Sequence, residues 1–216
     1  MTEQPRKMTD VGEAESFGLS NKYWASMSED DRALYRMIRP LPRADYSVTI
    51  HLHRLEDSLA RYEEDAKSRG GTYDLNPDFQ RGHVWTRPQR VAFMEAVFRG
   101  TAPMTFRFNS PAFGSARAGD INPDDFVCID GLQRLTTLLM FGRDEFEVFG
   151  RKSSGFGRPG TGGAFMLARY HATFQVFAFT YRRDLLQFYV DLNAGGTVHT
   201  EDEILRVRKM MGEVTR

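Results

Sequence analysis

The sequence predicts an α+β fold: one compact mixed sheet with flanking helices. Three observations carry this. Short β-branched and aromatic segments are interspersed with longer stretches whose apolar residues recur at helical spacing. Apolar residues make up 41 % of the 216, with 17 phenylalanines among them, which is enough for a substantial core. No segment repeats at a fixed period, so a solenoid or propeller is set aside.

In chain order, residues 1–27 are mixed polar and charged and read as a mobile N-terminal tail, with residues 28–216 as a single domain. Ser28 followed by Glu29, Asp30 and Asp31 is a capping residue with acids in the first turn, and opens a helix to about Arg39, before Pro40. Val48–Leu52 alternates as a short strand. Leu55–Ser68 places Leu55, Leu59, Tyr62 and Ala66 on one helical face, with Gly70 and Gly71 past its end. Residues 72–81 are extended and turn at Asn76-Pro77. Thr86 to Gln89 is a capping box with proline near the first helical position, and its helix closes at Gly100. Met104–Asn109 reads as a strand, 110–125 as a loop, 126–130 as a strand and 131–142 as a helix. Residues 151–164, rich in glycine and without an acid, read as a flexible, mildly basic loop. Phe174–Tyr181 is a strand, Asp184–Leu192 a helix, and Thr200 to Glu203 a second capping box before a helix to about Met211.

Net charge is zero, so there is no global field to draw the chain onto DNA or an anionic membrane, and any nucleic-acid contact needs a local patch. The one cysteine, Cys128, excludes an internal disulfide and a cysteine-rich zinc site, and fits a reducing compartment. The first twenty residues lack a signal-type apolar segment, and no apolar run approaches the roughly 20 residues that span a bilayer. The expectation is a soluble cytoplasmic protein.

The richest segment runs from Phe126 to Phe141. A strand turns at Asp130-Gly131 into a helix. At about 100° per residue, Asp130, Gln133, Arg134 and Thr137 fall in one arc, with Leu132, Leu135 and Leu139 opposite. A carboxylate, an amide, a guanidinium and a hydroxyl thus converge where unpaired N–H groups and a positive dipole end favour phosphate. The same residues also read as a plain helix start, with Asp130 capping and Arg134 pairing with it across one turn. Arg81, Arg87, Arg90, Arg99 and Arg107 alternate with Phe79, Trp85, Phe93, Phe98 and Phe106; this reads either as a nucleic-acid surface or as core aromatics beside solvated arginines.

Three stretches, Asn76–Trp85, Ile129–Thr137 and Asp191–Thr197, together resemble the N-terminal domain of GmrSD-type restriction endonucleases, within the ParB and sulfiredoxin-like superfamily. The resemblance spans roughly residues 48–211. It implies a ParB/sulfiredoxin-like fold that binds and hydrolyses a nucleoside triphosphate in defence against foreign or modified DNA. The family's Asp-Gly-Gln-Gln-Arg signature is here Asp130-Gly131-Leu132-Gln133-Arg134, with an inward-facing leucine in place of the first glutamine. Sulfiredoxin's catalytic cysteine follows that glycine; Leu132 stands there, which rejects that chemistry.

On this reading Gly131 admits a phosphate to the backbone, Arg134 grips its oxygens, Asp130 holds Mg²⁺ or another divalent cation, and Gln133 orients an attacking water. Thr136 or Thr137 adds a hydroxyl, Gln80 and Arg81 lie beside the nucleotide, and Asn193 lines the same cleft. Each has a plainer alternative: polarity beside Trp85 for Gln80 and Arg81, a helix-ending turn for Asn193, packing for His83. The five histidines show no His-x-x-x-His spacing, and the length leaves no room for the family's C-terminal nuclease domain, so no nuclease activity of its own is expected. The implied partners are the nucleotide, DNA and a separate nuclease subunit, with a homo-oligomer compatible and no membrane, in a bacterial or phage-encoded setting. A ParB-like DNA-binding module gated by nucleotide without hydrolysis, and an inactive relative that binds a protein, are the alternatives.

Overall fold

A computed structural model describes residues 14, 19–80, 82, 84–114, 119–157, 167–193 and 201–214. The chain forms two compact units, Met1–Arg43 and Ala44–Arg216.

In the first unit, helix α1 (Asn21–Ser26) starts at Ser20, whose side chain accepts from the Tyr23 N–H, and buries Trp24. Residues 21–26 fall inside the segment read as tail; six residues are too few for a helical period to show. Helix α2 (Glu29–Ile38) has the expected Ser28 cap and three first-turn acids. It stops where Arg39 takes a left-handed conformation ahead of Pro40. The Tyr35 ring meets Trp24 edge-on at 6.0 Å, and the Arg36 guanidinium lies over Trp24 at 5.8 Å.

The second unit runs β1 (Tyr46–His51), α3 (Leu55–Ser68), β2 (Tyr73–Asp74), α4 (Arg87–Arg99), β3 (Thr105–Asn109), β4 (Phe126–Asp130), α5 (Leu132–Gly142), β5 (His171–Phe177), α6 (Arg182–Asn193) and α7 (Glu201–Val214). The strands form one mixed sheet in the order β1-β5-β3-β4-β2. β1/β5 and β3/β4 are antiparallel, while β3/β5 and β2/β4 are parallel.

Strand periodicity divides the core between two faces. Phe106, Phe108, Phe126, Cys128, Phe174 and Val176 join Leu55, Leu59, Met94, Val97, Leu135 and Leu138 in one cluster, under α3, α4 and α5. Ile129 and Phe177, one position out of phase, join Leu185, Leu186, Phe188, Tyr189, Val190 and Val207 of α6 and α7 in a second. Phe108 lies at the centre of the first, with ring centroids 4.9 Å from Phe126 and 4.6 Å from Phe174.

The sequence sets β5 at 174–181, whereas it occupies His171–Phe177. Its ladders with β1 and β3 end at Val176 and Phe177, where the partners run out. Beyond that, Asn109 replaces the missing strand: its amide donates to the Phe179 carbonyl at 3.0 Å and accepts from the Phe179 N–H at 2.8 Å. Residues 158–164 of the glycine-rich loop, and residues 194–200 with the second capping-box threonine, lie outside the described residues.

Phe108 is fully buried. Phe108→Ala is expected to cost about 3–5 kcal/mol, read as a lower urea midpoint at unchanged slope.

Candidate functional site

β4 delivers Asp130 to the edge of the first cluster, and Gly131 turns the chain into α5 with φ of 106°. That angle lies in the left-handed region, and a Cβ there would come within 2.6 Å of Phe106 Cδ1. Glycine is therefore required twice over, by conformation and by space. Standing at the N-cap without a side chain, it leaves the start of α5 without side-chain capping.

The first turns of the helices differ in charge. α2, α3 and α6 carry acids there: Glu29, Asp30 and Asp31, then Glu56 and Asp57, then Asp184. The short α1 carries none, and neither do α4 and α5. α4 instead opens with Arg87 and Arg90, which its dipole disfavours. One side chain ties these two helix starts together. Gln133 Oε1 accepts from the Val84 and Trp85 N–H groups at 3.0 and 3.1 Å, just ahead of the α4 cap at Thr86. Gln133 Nε2 donates to the Gly82 carbonyl. Both ends of this amide are thus engaged with backbone, and this geometry does not support the role of orienting an attacking water.

Asp130 Oδ2 accepts from two guanidiniums, Arg107 Nη1 at 2.9 Å and Arg134 Nη2 at 3.0 Å. Arg134 Nη1 also donates to the Pro103 and Thr105 carbonyls at 2.8 and 2.9 Å, and its guanidinium lies 5.2 Å from the Phe106 ring centroid. Arg134 therefore stitches α5 to β3, with its side chain 15 % exposed against 28 % for Arg107 and 27 % for Asp130. A bulge sets up the trio. Phe108 pairs with Cys128, but Arg107 pairs with Asp130, so Ile129 is the extra residue on β4. Ile129 drops to the second cluster while Asp130 comes opposite Arg107.

The other expected residues are placed as follows. Gln80 Nε2 donates to the Cys128 carbonyl at 2.6 Å, two residues before Asp130. Thr137 is fully buried and its hydroxyl donates back to the Gln133 carbonyl at 2.7 Å, so it faces helix backbone and not an open site. Thr136 is half-buried on the same helix. Asn193 Nδ2 donates to the Tyr189 carbonyl at 2.6 Å, closing the end of α6. Arg81 and His83 lie outside the described residues. Asp130, Gly131, Gln133 and Arg134 thus come together with Gln80 close by, while the polar groups of Thr137 and Asn193 bond within their own helices. Sequence reading counted Arg107 only among the interleaved arginines; its pairing with Asp130 has no local signal, because it depends on strand order and the bulge. Among the aromatics of that set, Phe79, Phe93 and Phe106 are buried in the core.

A cation on Asp130 would sit beside two guanidiniums on the same oxygen, and among the described residues no group of three His, Cys, Asp or Glu could hold a metal. The donor set does not fit a resident divalent metal, so no chemistry is routed through one. Cys128 is fully buried, and burial pushes its thiol up to about 12. A cavity of about 300 Å³ lies between the start of α3 and the far end of α5, lined by Leu52, Leu55, Leu138 and Leu139 among others; none of the expected site residues borders it.

The family model described as GmrSD restriction endonuclease, N-terminal domain, matches residues 62–192. The chain belongs to this family. Comparison with curated proteins and with solved structures gives no match. Membership carries an association with DNA restriction and defence against phage. Among the described residues no helix is long and apolar enough to cross a membrane.

Two measurements check this geometry. Gln133→Ala removes the acceptor for the Val84 and Trp85 amides, and their hydrogen exchange is expected to quicken about 5- to 30-fold while that of β5 stays put. The Cys128 thiol is expected to resist alkylation at pH 8 until the chain unfolds. Because its folded pKa is raised from 9.0 to about 12, its contribution to stability is complete below pH about 9 and is lost as pH climbs through that interval, which a pH series of urea midpoints reads.

Proposed function

We propose that this domain binds a nucleoside triphosphate within a DNA-restriction system, with the phosphates seated where α4 and α5 begin. The observation that carries this is the local charge. Two helix starts without acids are tied to each other by Gln133, next to a cluster of two guanidiniums and one carboxylate. That cluster has a formal charge of about plus one beside positive dipole ends, an arrangement that favours a multiply charged anion. Gly131 lets an anion approach the backbone, and Arg107, the more exposed of the two arginines, has donors beyond the one it gives Asp130. Arg81, Gln80 and Thr136 are the remaining residues expected to contact the nucleotide. A divalent cation enters this proposal only as the nucleotide's own counter-ion.

A second reading has a specific observation behind it: binding without appreciable hydrolysis, in which the nucleotide gates contact with DNA or a nuclease partner. The Gln133 amide is committed to the 82–85 backbone and Asp130 Oδ2 is held by two arginines, so two of the side chains expected to serve hydrolysis are engaged in structure. The inactive protein-binding relative has no comparable support.

The deciding experiment is a thermal-shift panel of GTP, ATP and CTP, each with and without Mg²⁺, followed by a phosphate-release assay. A nucleotide at about 100 times its Kd should stabilise the native state by about 2.7 kcal/mol, a rise of several degrees. Arg107→Ala and Arg81→Ala should each weaken that rise. Phosphate release would select hydrolysis and its absence the gated module. If no nucleotide at millimolar concentration moves the melting temperature, the proposal is wrong.

A further inference from the structure

The turn leading into the site is gripped from a helix beyond the family match. The Gln80 N–H donates to the Pro77 carbonyl at 2.9 Å, closing the turn. The next three carbonyls all accept from one side chain of α7: Arg206 Nη1 donates to Asp78 O at 2.8 Å, and Nη2 to Phe79 O at 3.0 Å and Gln80 O at 3.2 Å. Three consecutive carbonyl dipoles meeting one planar cation is a demand on shape as well as charge, because the fork spans acceptors that a point charge cannot reach together. Arg182, at the start of α6, grips the same turn through both Asp78 carboxylate oxygens at 2.7 and 2.6 Å. Phe79 is buried edge-on against Tyr189 of α6, with ring centroids 5.1 Å apart. Val207, the neighbour of Arg206, is fully buried in the same cluster, so the packing of α7 fixes where the guanidinium stands.

Described residues on either side of Arg81 are both tied to the site. Gln80 reaches the Cys128 carbonyl on β4, and Gly82, Val84 and Trp85 are all held by Gln133 at the start of α5. We infer that Arg206 is a positioning residue for the site at the start of α5: it sets the 78–80 backbone, and through it the 82–85 segment that Gln133 holds. α7 is then part of the site's construction although it lies outside residues 62–192. The inference about geometry stands without a ligand, while its effect on affinity rests on the nucleotide-binding proposal.

The test uses the full chain with Arg206→Ala and Arg206→Lys. Hydrogen exchange is followed at the Val84 and Trp85 amides, whose acceptor Arg206 does not touch, with Phe174 and Val176 in β5 as reference. In Arg206→Ala the Val84 and Trp85 amides should exchange about tenfold faster with the β5 amides unchanged. Arg206→Lys keeps the charge without the fork; it should melt like the wild type yet fail to restore that protection. The GTP Kd, measured with Mg²⁺, should rise about tenfold in Arg206→Ala. Unchanged exchange at Val84 and Trp85, or a loss spread equally into β5, overturns the inference. If the exchange effect appears but the wild-type chain binds no nucleotide, the nucleotide-binding proposal fails and the positioning role remains.

Discussion

One carboxylate shared by two guanidiniums holds the centre of this molecule. Asp130 accepts from Arg107 on β3 and from Arg134 on α5, and Arg134 in turn caps the carbonyls of Pro103 and Thr105 ahead of and within β3. The trio joins two strands and a helix at one point. Without the carboxylate, two partly buried cations would face each other, and without Arg134 the carbonyls would lose their donor. Either loss leaves polar groups unpaired near the core, which costs more than the pair itself contributes. The bulge at Ile129 is what permits the arrangement, because an unbroken ladder would oppose Arg107 to Ile129 and send Asp130 past it.

The same constraint explains how a chain of zero net charge can carry a locally positive turn. At physiological ionic strength exposed charges act over about 8 Å, so the chain's total matters less than what stands at one turn. Here two arginines meet one carboxylate at a helix start without acids, and Gln133 draws in a second such start, opened by Arg87 and Arg90. Elsewhere the usual complementarity holds: α2, α3 and α6 place acids in their first turns. Of the helices whose first turns carry no acid, α4 and α5 are joined at their starts, while α1 is a single short helix of the other unit.

What the sequence discloses is local. The capping box at Thr86, the glycine at 131 and the apolar face of α3 need only a few consecutive residues, and each appears where the sequence puts it. The resemblance rests on three short stretches, and the family match covers residues 62–192. Partnership across the sheet is a different matter. Arg107 lies 23 positions from Asp130, Arg206 lies 126 from Gln80, and no period or motif links either pair. α1 escaped because one turn and a half shows no periodicity, and the end of β5 because strand length depends on where its partners stop.

The fate of Gln133 shows why residue type alone gives an incomplete account of role. A glutamine one turn from a phosphate-like site suggests a group that orients water. Here its amide bridges Gly82, Val84 and Trp85 and so joins two helix starts. An amide suits that task because it offers an acceptor and a donor on one rigid plane. A carboxylate would lose the bond to Gly82, and a lysine would lose both N–H partners. The demand for glutamine at this position can therefore arise entirely from assembling the seat, with no part in the chemistry performed there. On the nucleotide-binding proposal, Gln133 then belongs to the construction of the seat, and the groups that would activate water have to be sought elsewhere.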